Sequence, residues 1–155
     1  MKFLVFSDSH EYTNGMDEAI EKHKDITRII HCGDMASDVY YLESVYGRTH
    51  SICAVRGNND FSSPEPLSRV AKAEGHKIFI THGHRQHVKS GLFELIKTAK
   101  TEDCDVCVFG HTHSQFYECK DGVHILNPGS IGYFKRQYAV IEVLENSVDV
   151  KLFNL

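Results

Sequence analysis

Short apolar runs alternate with amphipathic segments through the first third of the chain. The runs at residues 2–7, 27–32 and 51–55 are predicted strands, and the helical spacing of apolar residues predicts helices over 14–24 and 37–46. Asn14 has the residue type of a helix N-cap. Strands that alternate with helices form parallel sheets through right-handed crossovers. This alternation therefore predicts an α/β fold.

The remainder of the chain is rich in predicted hairpins. Turn signals such as Glu74-Gly75 and Asp121-Gly122 separate its apolar runs, and one further helix is predicted over residues 90–100. The predicted strands of this part are residues 67–73, 77–81, 105–109, 115–119, 123–126, 138–144 and 148–153. A hairpin pairs its strands antiparallel. From the number of strands we expect two mixed sheets that face each other, with the helices outside.

The length and the apolar content favour one domain that spans residues 1–155. A chain of this length buries enough surface for a single core, and 41% of its residues are apolar. The apolar runs are far shorter than the roughly 20 residues that span a bilayer, and the run before Ser7 is too short for a signal peptide. We therefore expect a cytoplasmic protein that has no membrane partner.

The charge distribution gives no sign of a nucleic-acid surface. Net charge is −4, from 17 basic and 21 acidic residues, and no run of Lys and Arg exceeds two residues. An extended nucleic-acid interface requires clustered cations. Extended nucleic-acid binding is therefore not expected, and a nuclease is disfavoured.

Two of the five cysteines, Cys104 and Cys107, form a CxxC motif. A zinc site of four thiolates would need a second such pair, which the sequence lacks. The motif also leads into a predicted strand, on which positions three apart point to opposite faces. Reduced, packed thiols are favoured over a zinc or redox site.

Residue types that bind metal ions follow five of the predicted strands, at the point where each strand ends. The five motifs are Asp8-Ser9-His10, Gly33-Asp34, Gly57-Asn58-Asn59-Asp60, His82-Gly83-His84 and Gly110-His111-Thr112-His113. Each motif alone is common in solvated turns. In open α/β sheets, however, ligands bind beyond the carboxyl ends of the strands. Five such motifs in one domain therefore predict a metal site at one edge of the sheets.

The donor types fit first-row divalent ions. Carboxylate, amide and imidazole donors suit Mn²⁺, Fe²⁺, Ni²⁺ or Zn²⁺, and no thiolate is among them. Two such ions about 3.5–4 Å apart can share one carboxylate and one hydroxide, which is a nucleophile at neutral pH. Both ions also polarise a phosphoryl oxygen. We expect two divalent ions as cofactors, with Mn²⁺ preferred over Ni²⁺, Fe²⁺ or Zn²⁺.

The order of these motifs, together with Asn127-Pro128-Gly129-Ser130, resembles the calcineurin-like metallophosphoesterase superfamily. Within it, the chain is most similar to the small single-domain phosphodiesterases of bacteria and archaea, which are relatives of the retromer subunit of eukaryotes. The resemblance extends over nearly the whole chain. It implies a four-layer αββα sandwich of two mixed sheets and hydrolysis of a phosphodiester.

The resemblance also implies a role for each ligand. The first ion would be bound by Asp8, His10 and His113, the second by Asn58, His82 and His111, and Asp34 would bridge the two ions. A bridging hydroxide would attack phosphorus in line, with no covalent intermediate on the protein.

One position departs from the family pattern. Many members have histidine, which stabilises or protonates the leaving group, where this chain has Asn59. An amide cannot act as a general acid. Besides the ligand Asn58, the candidate catalytic residues are His84, as a substitute acid, and Arg56, which could hold a phosphate oxygen or pair with Asp60.

Two further functions remain open beside a phosphodiesterase for small-molecule or nucleotide substrates. One is a protein-interaction scaffold of the same fold, which the retromer resemblance allows. The complete ligand set argues against it, because a scaffold need not keep seven metal-binding side chains. The other is the nuclease that the charge distribution disfavours. The sequence selects no oligomeric state.

Overall fold

Ten strands and three α-helices make up the computed structural model, which describes residues 1–155. The elements are β1 (Lys2–Phe6), α1 (Thr13–Lys22), β2 (Arg28–His31), α2 (Ala36–Tyr46), β3 (Ser51–Ala54), β4 (Ser68–Ala73), β5 (His76–Thr81), α3 (Phe93–Thr101), β6 (Val106–Val108), β7 (Gln115–Lys120), β8 (Val123–Pro128), β9 (Gln137–Leu144) and β10 (Ser147–Asn154). A short 3₁₀ turn at His84–Gln86 follows β5. Every strand and helix predicted from the sequence is present.

The strands form two five-stranded mixed sheets. The first sheet has the order β10-β9-β1-β2-β3, and the second has the order β4-β5-β6-β8-β7. Strands β1, β2 and β3 run parallel, as do β5, β6 and β8. The hairpins β4–β5, β7–β8 and β9–β10 are antiparallel, as their turn residues predict.

The layers are held together by three apolar clusters. The central cluster lies between the sheets and includes Val5, Ile30, Ile80, Val108 and Ile141. A second cluster packs α1 and α2 on the first sheet, and a third packs α3 on the second sheet. The expected α/β sandwich with four αββα layers is thus confirmed.

Three local details differ from the sequence-based expectations. Helix α1 begins at Thr13 with Tyr12 as its N-cap residue, so Asn14 lies inside the first turn and does not cap the helix. Helix α2 begins one residue early, at Ala36. Cys104 lies before the start of β6 and packs in the same apolar cluster as Cys107, so the strand geometry that we assumed for the CxxC motif does not apply.

The helices are short. The longest, α2, has 11 residues, and none is both long and apolar enough to cross a membrane.

The central cluster should dominate the free energy of unfolding. Ile80 is fully buried in it, so Ile80→Ala is expected to lower the unfolding free energy by about 2–5 kcal/mol through lost burial and the cavity left behind. Val45, which is 53% exposed on α2, provides the control. Val45→Ala should change stability by less than about 0.5 kcal/mol in the same urea titration. Equal effects of the two changes would contradict this view of the core.

Candidate metal centre

The carboxyl ends of the parallel strands of both sheets meet at one edge of the sandwich. In the first sheet, the Asp8 amide donates to the Gly33 carbonyl at 2.9 Å, which holds the loops after β1 and β2 together. In the second sheet, the Gly110 amide donates to the His82 carbonyl at 3.1 Å. Loops from both sheets therefore enclose one site.

A first group of ligand atoms contains Asp8, His10 and His113. The Nε2 atoms of His10 and His113 lie 3.3 Å apart, and His113 Nε2 lies 3.1 Å from Asp8 Oδ1. Asp8 is fully buried, yet its Oδ1 accepts no hydrogen bond. A buried carboxylate oxygen without a donor is costly unless a cation satisfies it. These three side chains converge as the ligands of one ion would.

A second group surrounds His82. Its Nε2 lies 3.1 Å from Asn58 Oδ1, 3.2 Å from His111 Nδ1 and 3.6 Å from Asp34 Oδ2. On the other side of the ring, Nδ1 lies 2.7 Å from the carbonyl oxygen of Cys32, to which it donates. This hydrogen bond fixes the tautomer and leaves the Nε2 lone pair directed at the group, as metal-binding histidines require.

The two groups are adjacent. Asp8, Asp34 and His82 offer ligand atoms within 4.8 Å of one another, and His82 Nε2 lies 3.9 Å from Asp8 Oδ1. The structure thus brings all seven predicted ligands together in one site. Asp8, Asp34 and His82 form its buried floor, whereas His10 is exposed. The exposed side is where a substrate can enter.

Backbone strain is concentrated at the ligands. Five of the seven have φ between 47° and 67°, in the left-handed region: Asp8, His10, Asp34, His111 and His113. Such values cost about 1–3 kcal/mol for a residue other than glycine and persist where the surroundings impose them, typically at functional sites.

Two glycines permit the close approach of the loops. A Cβ at Gly57 would lie 1.9 Å from Asp34 Oδ1, and one at Gly110 would lie 1.9 Å from Ser7 Oγ. Both distances are impossible for a side chain. The glycines of the Gly57-Asn58 and Gly110-His111 motifs are therefore required because the neighbouring loop occupies the space of their side chains.

The orientation of Asp8 depends on its second carboxylate oxygen. Oδ2 accepts hydrogen bonds from the Ser7 hydroxyl at 2.6 Å and from the His111 amide at 3.0 Å. Ser130 Oγ donates to the Asp8 carbonyl at 2.7 Å. These contacts leave Oδ1 free to bind a cation. Sequence reasoning did not identify Ser7, since a serine that precedes an aspartate at a strand end is too common to single out.

Asp60 holds the loop after β3 in place. Its carboxylate accepts hydrogen bonds from three backbone amides, those of Asp34 at 3.0 Å, Ala36 at 2.7 Å and Gly57 at 2.7 Å. It is buried and directed at the backbone. Asp60 therefore orients the Asp34 and Asn58 loops, and it is not a metal ligand in this arrangement.

The other candidate residues border the second group. Asn59 donates from Nδ2 to Asp34 Oδ2 at 2.6 Å. The ring of His84 lies 5.5 Å from that of His82. Arg56 does not pair with Asp60, since its Nη1 donates to the Ser63 carbonyl at 3.4 Å. Both His84 and Arg56 are half-buried beside the site.

Burial and neighbouring charges shift the pKa values of three of the ligands. Burial raises the pKa of Asp8, but its neighbours His113, His82 and Ser7 outweigh burial and hold the pKa below the usual value. Burial and the nearby His82 lower the pKa of His111 to about 4, whereas the carboxylate of Asp8 raises the pKa of His113. At neutral pH, Asp8 is therefore ionised and His111 carries a free lone pair. Both are the states that bind metal ions.

The donor set fits two divalent ions. Each group offers at least three oxygen or nitrogen atoms, and the Asp34 carboxylate lies at the second group within reach of Asp8. Hard and borderline ions of the first row prefer such donors. The sandwich thus carries two adjacent groups of side chains that could each hold a metal ion.

Comparison with known proteins identifies the family. Residues 1–146 match the calcineurin-like phosphoesterase superfamily domain, and the chain belongs to this superfamily. It is 28% identical over 159 residues to the probable metallophosphoesterase YsnB of Bacillus subtilis. The alignment covers 99% of this chain and 91% of that protein. A Methanocaldococcus jannaschii protein named as a phosphodiesterase is 32% identical over 150 residues, 83% of each chain.

The fold is shared with a vacuolar sorting protein. Vacuolar protein sorting 29 of Cryptosporidium parvum superimposes with a TM-score of 0.84 at 22% identity, over 99% of this chain and 91% of that one. The resemblance to small metallophosphoesterases and their eukaryotic relatives is thus confirmed.

Loss of the Ser7 hydroxyl should weaken metal binding without disturbing the ligands themselves. Ser7→Ala removes the 2.6 Å hydrogen bond to Asp8 Oδ2, and loss of such a supporting contact costs about 10–100-fold in metal affinity. Ser51, exposed at the opposite end of the parallel strands, provides the matched control, and Ser51→Ala should leave the affinity unchanged. Calorimetric titration with Mn²⁺ measures both. An unchanged affinity in Ser7→Ala would refute the positioning role.

Proposed function

We propose that this phosphoesterase-family protein is a divalent-metal-dependent phosphodiesterase. The observation that carries the proposal is the convergence of seven oxygen and nitrogen ligands from both sheets in two adjacent groups. The phosphodiesterase named among the relatives supports the substrate class. Mn²⁺ is the first choice of ion, with Ni²⁺, Fe²⁺ or Zn²⁺ as alternatives.

Divalent ions held by these ligands would supply Lewis acidity toward a phosphoryl oxygen and would lower the pKa of a bound water toward neutrality. The chain's own residues orient this chemistry. The buried carboxylates of Asp8 and Asp34 provide the negative charge that holds the ions, and His82 is kept in one tautomer by the Cys32 carbonyl. Asn59 orients the Asp34 carboxylate through hydrogen bonds from its backbone amide to Oδ1 and from Nδ2 to Oδ2. The exposed side at His10 admits the ester.

No strong general acid faces the leaving group in this proposal. Asn59 occupies the position at which many family members have histidine, and an amide does not donate a proton as an acid does. Burial, followed by the charge of His82, lowers the pKa of His84, so its imidazole is largely unprotonated at neutral pH. His84 is therefore better suited to accept or donate a hydrogen bond than to act as an acid.

The alternative is a protein-interaction scaffold, and exposed aromatic side chains are the observation in its favour. Phe61 and Phe134 are 90% and 94% exposed, and Tyr133 is 67% exposed. The rings of Tyr133 and Phe134 are in edge-to-face contact, with centroids 5.4 Å apart, and contiguous exposed apolar surface marks binding sites. Metal-dependent hydrolysis by the purified protein separates the two functions.

We also propose a cytoplasmic location. All five cysteines are free thiols, which fits a reducing compartment.

Asp34→Asn should abolish activity. The change removes the carboxylate charge between the two ligand groups, so hydrolysis of bis-p-nitrophenyl phosphate with Mn²⁺ should fall at least about a hundredfold. Asp121→Asn is the matched control, because Asp121 is exposed in the β7–β8 turn at φ 52°, which asparagine tolerates. The control should keep full activity. Absence of hydrolysis by the wild type with each of the four ions would instead favour the scaffold.

The leaving group should control the rate. Without a general acid, esters of acidic phenols are cleaved faster than esters of alkyl alcohols, whose alkoxides need protonation. We expect kcat/KM for activated aryl diesters to exceed that for alkyl monoesters. The variant Asn59→His restores an imidazole and should narrow this difference. Equal rates on both ester classes in the Mn²⁺-loaded wild type would show that a general acid is present.

A further inference from the structure

A pocket of about 330 Å³ opens directly beside the metal centre. It lies between the start of α2 and the loop after β3. The residues that matter here are Met35, Ser37, Tyr40, Asn59, Phe61 and Ser62. None of them is a predicted metal ligand, and the mechanism above uses only Asn59.

The pocket shares its inner wall with the metal centre. Met35 directly follows Asp34 in the chain, and Asn59 donates from Nδ2 to Asp34 Oδ2 at 2.6 Å. A group that occupies the pocket would therefore lie next to a phosphate bound at the metal centre. This adjacency suits a substituent of the substrate better than a separate ligand.

The walls combine flat apolar surfaces with hydroxyl groups. The Phe61 ring is 90% exposed and Tyr40 is 45% exposed, while Met35 adds a polarisable thioether. Ser37, Tyr40 and Ser62, which carry hydroxyl groups, line the same space. An exposed phenylalanine on a pocket wall can stack on a planar ring, and neighbouring hydroxyls can hydrogen-bond to the ring's polar edge. Nucleobases have both properties.

The pocket is held in shape by the interactions that orient the metal ligands. Asp60 accepts hydrogen bonds from the amides of Asp34, Ala36 and Gly57, which joins the two segments that form the walls. Ser63 donates from its amide to the Asp60 carbonyl at 3.1 Å and closes the turn around Phe61. These contacts fix the backbone of the pocket, whereas the exposed Phe61 side chain would become ordered only when a ring stacks on it.

We propose that this pocket binds the nucleobase of a nucleoside phosphodiester, with Phe61 as the stacking surface. The proposal rests on the phosphodiesterase function above and narrows its substrate class. It makes Phe61 a specificity-determining residue that contacts the part of the substrate retained after the leaving group departs.

A second phenylalanine offers a matched control. Phe134 is 94% exposed and does not line the pocket. Phe61→Ala and Phe134→Ala remove the same side chain from equally exposed positions. Neither change should impair folding, because neither side chain is packed.

The contribution of the nucleoside is measured by comparing two diesters that have the same leaving group and differ in the group that stays on the phosphate. These are thymidine 5′-(p-nitrophenyl phosphate) and methyl p-nitrophenyl phosphate, each assayed with the Mn²⁺-loaded protein. The wild type should prefer the thymidine diester in kcat/KM. Phe61→Ala should reduce this preference roughly tenfold, through KM, as expected for one lost base-stacking contact. Phe134→Ala should keep the wild-type preference. A wild type without preference, or an equal loss in both variants, would overturn the proposal.

A binding measurement separates this proposal from the activity itself. Thymidine 5′-monophosphate and inorganic phosphate are titrated into wild type, Phe61→Ala and Phe134→Ala by calorimetry, with Mn²⁺ present. The nucleotide should bind Phe61→Ala roughly tenfold more weakly than it binds the wild type and Phe134→Ala, whereas inorganic phosphate should not distinguish the proteins. If no diester is hydrolysed, the phosphodiesterase function is refuted, and this titration alone tests whether the pocket binds a nucleobase. A nucleotide affinity that does not depend on Phe61 overturns the nucleobase assignment even if hydrolysis is observed.

Discussion

The carboxylate of Asp8 connects the two sheets at the point where their strands end. Its Oδ2 is held by the Ser7 hydroxyl of its own sheet and by the His111 amide of the other sheet, while the buried Oδ1 has no hydrogen-bond donor. Oδ2 thus fixes the relative position of the loops, whereas the negative charge on Oδ1 is not compensated by a hydrogen bond. Burial raises the pKa of Asp8, but His113, His82 and Ser7 outweigh burial and keep its pKa below the usual value. The sandwich therefore stabilises the negative charge that a cation site requires.

Much of the fold and of the ligand set could be predicted because the signals are local. Strand and helix periodicity located every element, and Glu74-Gly75 and Asp121-Gly122 marked hairpins that the structure contains. The ligand motifs were recognisable because each begins where an apolar run ends, and parallel strands bring such positions to a common edge. The family match then agreed with the order of the motifs. Residue type together with strand direction was sufficient for this part.

The interactions that orient the ligands could not be predicted, because they depend on contacts between distant segments. The Cys32 carbonyl that sets the tautomer of His82 is a backbone atom, which carries no signal in the sequence. Ser7 is significant only because the Asp8 carboxylate turns back onto its hydroxyl and the Gly110 loop packs against it. The expected cap at Asn14 was wrong because helix α1 begins at Thr13 and Tyr12 enters an aromatic contact with Tyr133. In each case tertiary packing, not local preference, decides the outcome.

Neighbouring residues of the loop after β3 contact different parts of the molecule. Asn58 and Asp60 face the ligand groups and the backbone that supports them, whereas Phe61 and Ser62 face the adjoining pocket. Exchange of Phe61 or Ser62 would alter the shape and polarity of the pocket and leave the anchoring carboxylate in place. The lining of the pocket can thus vary in sequence while the side chains that converge beside it, and the carboxylate that anchors their loops, stay the same.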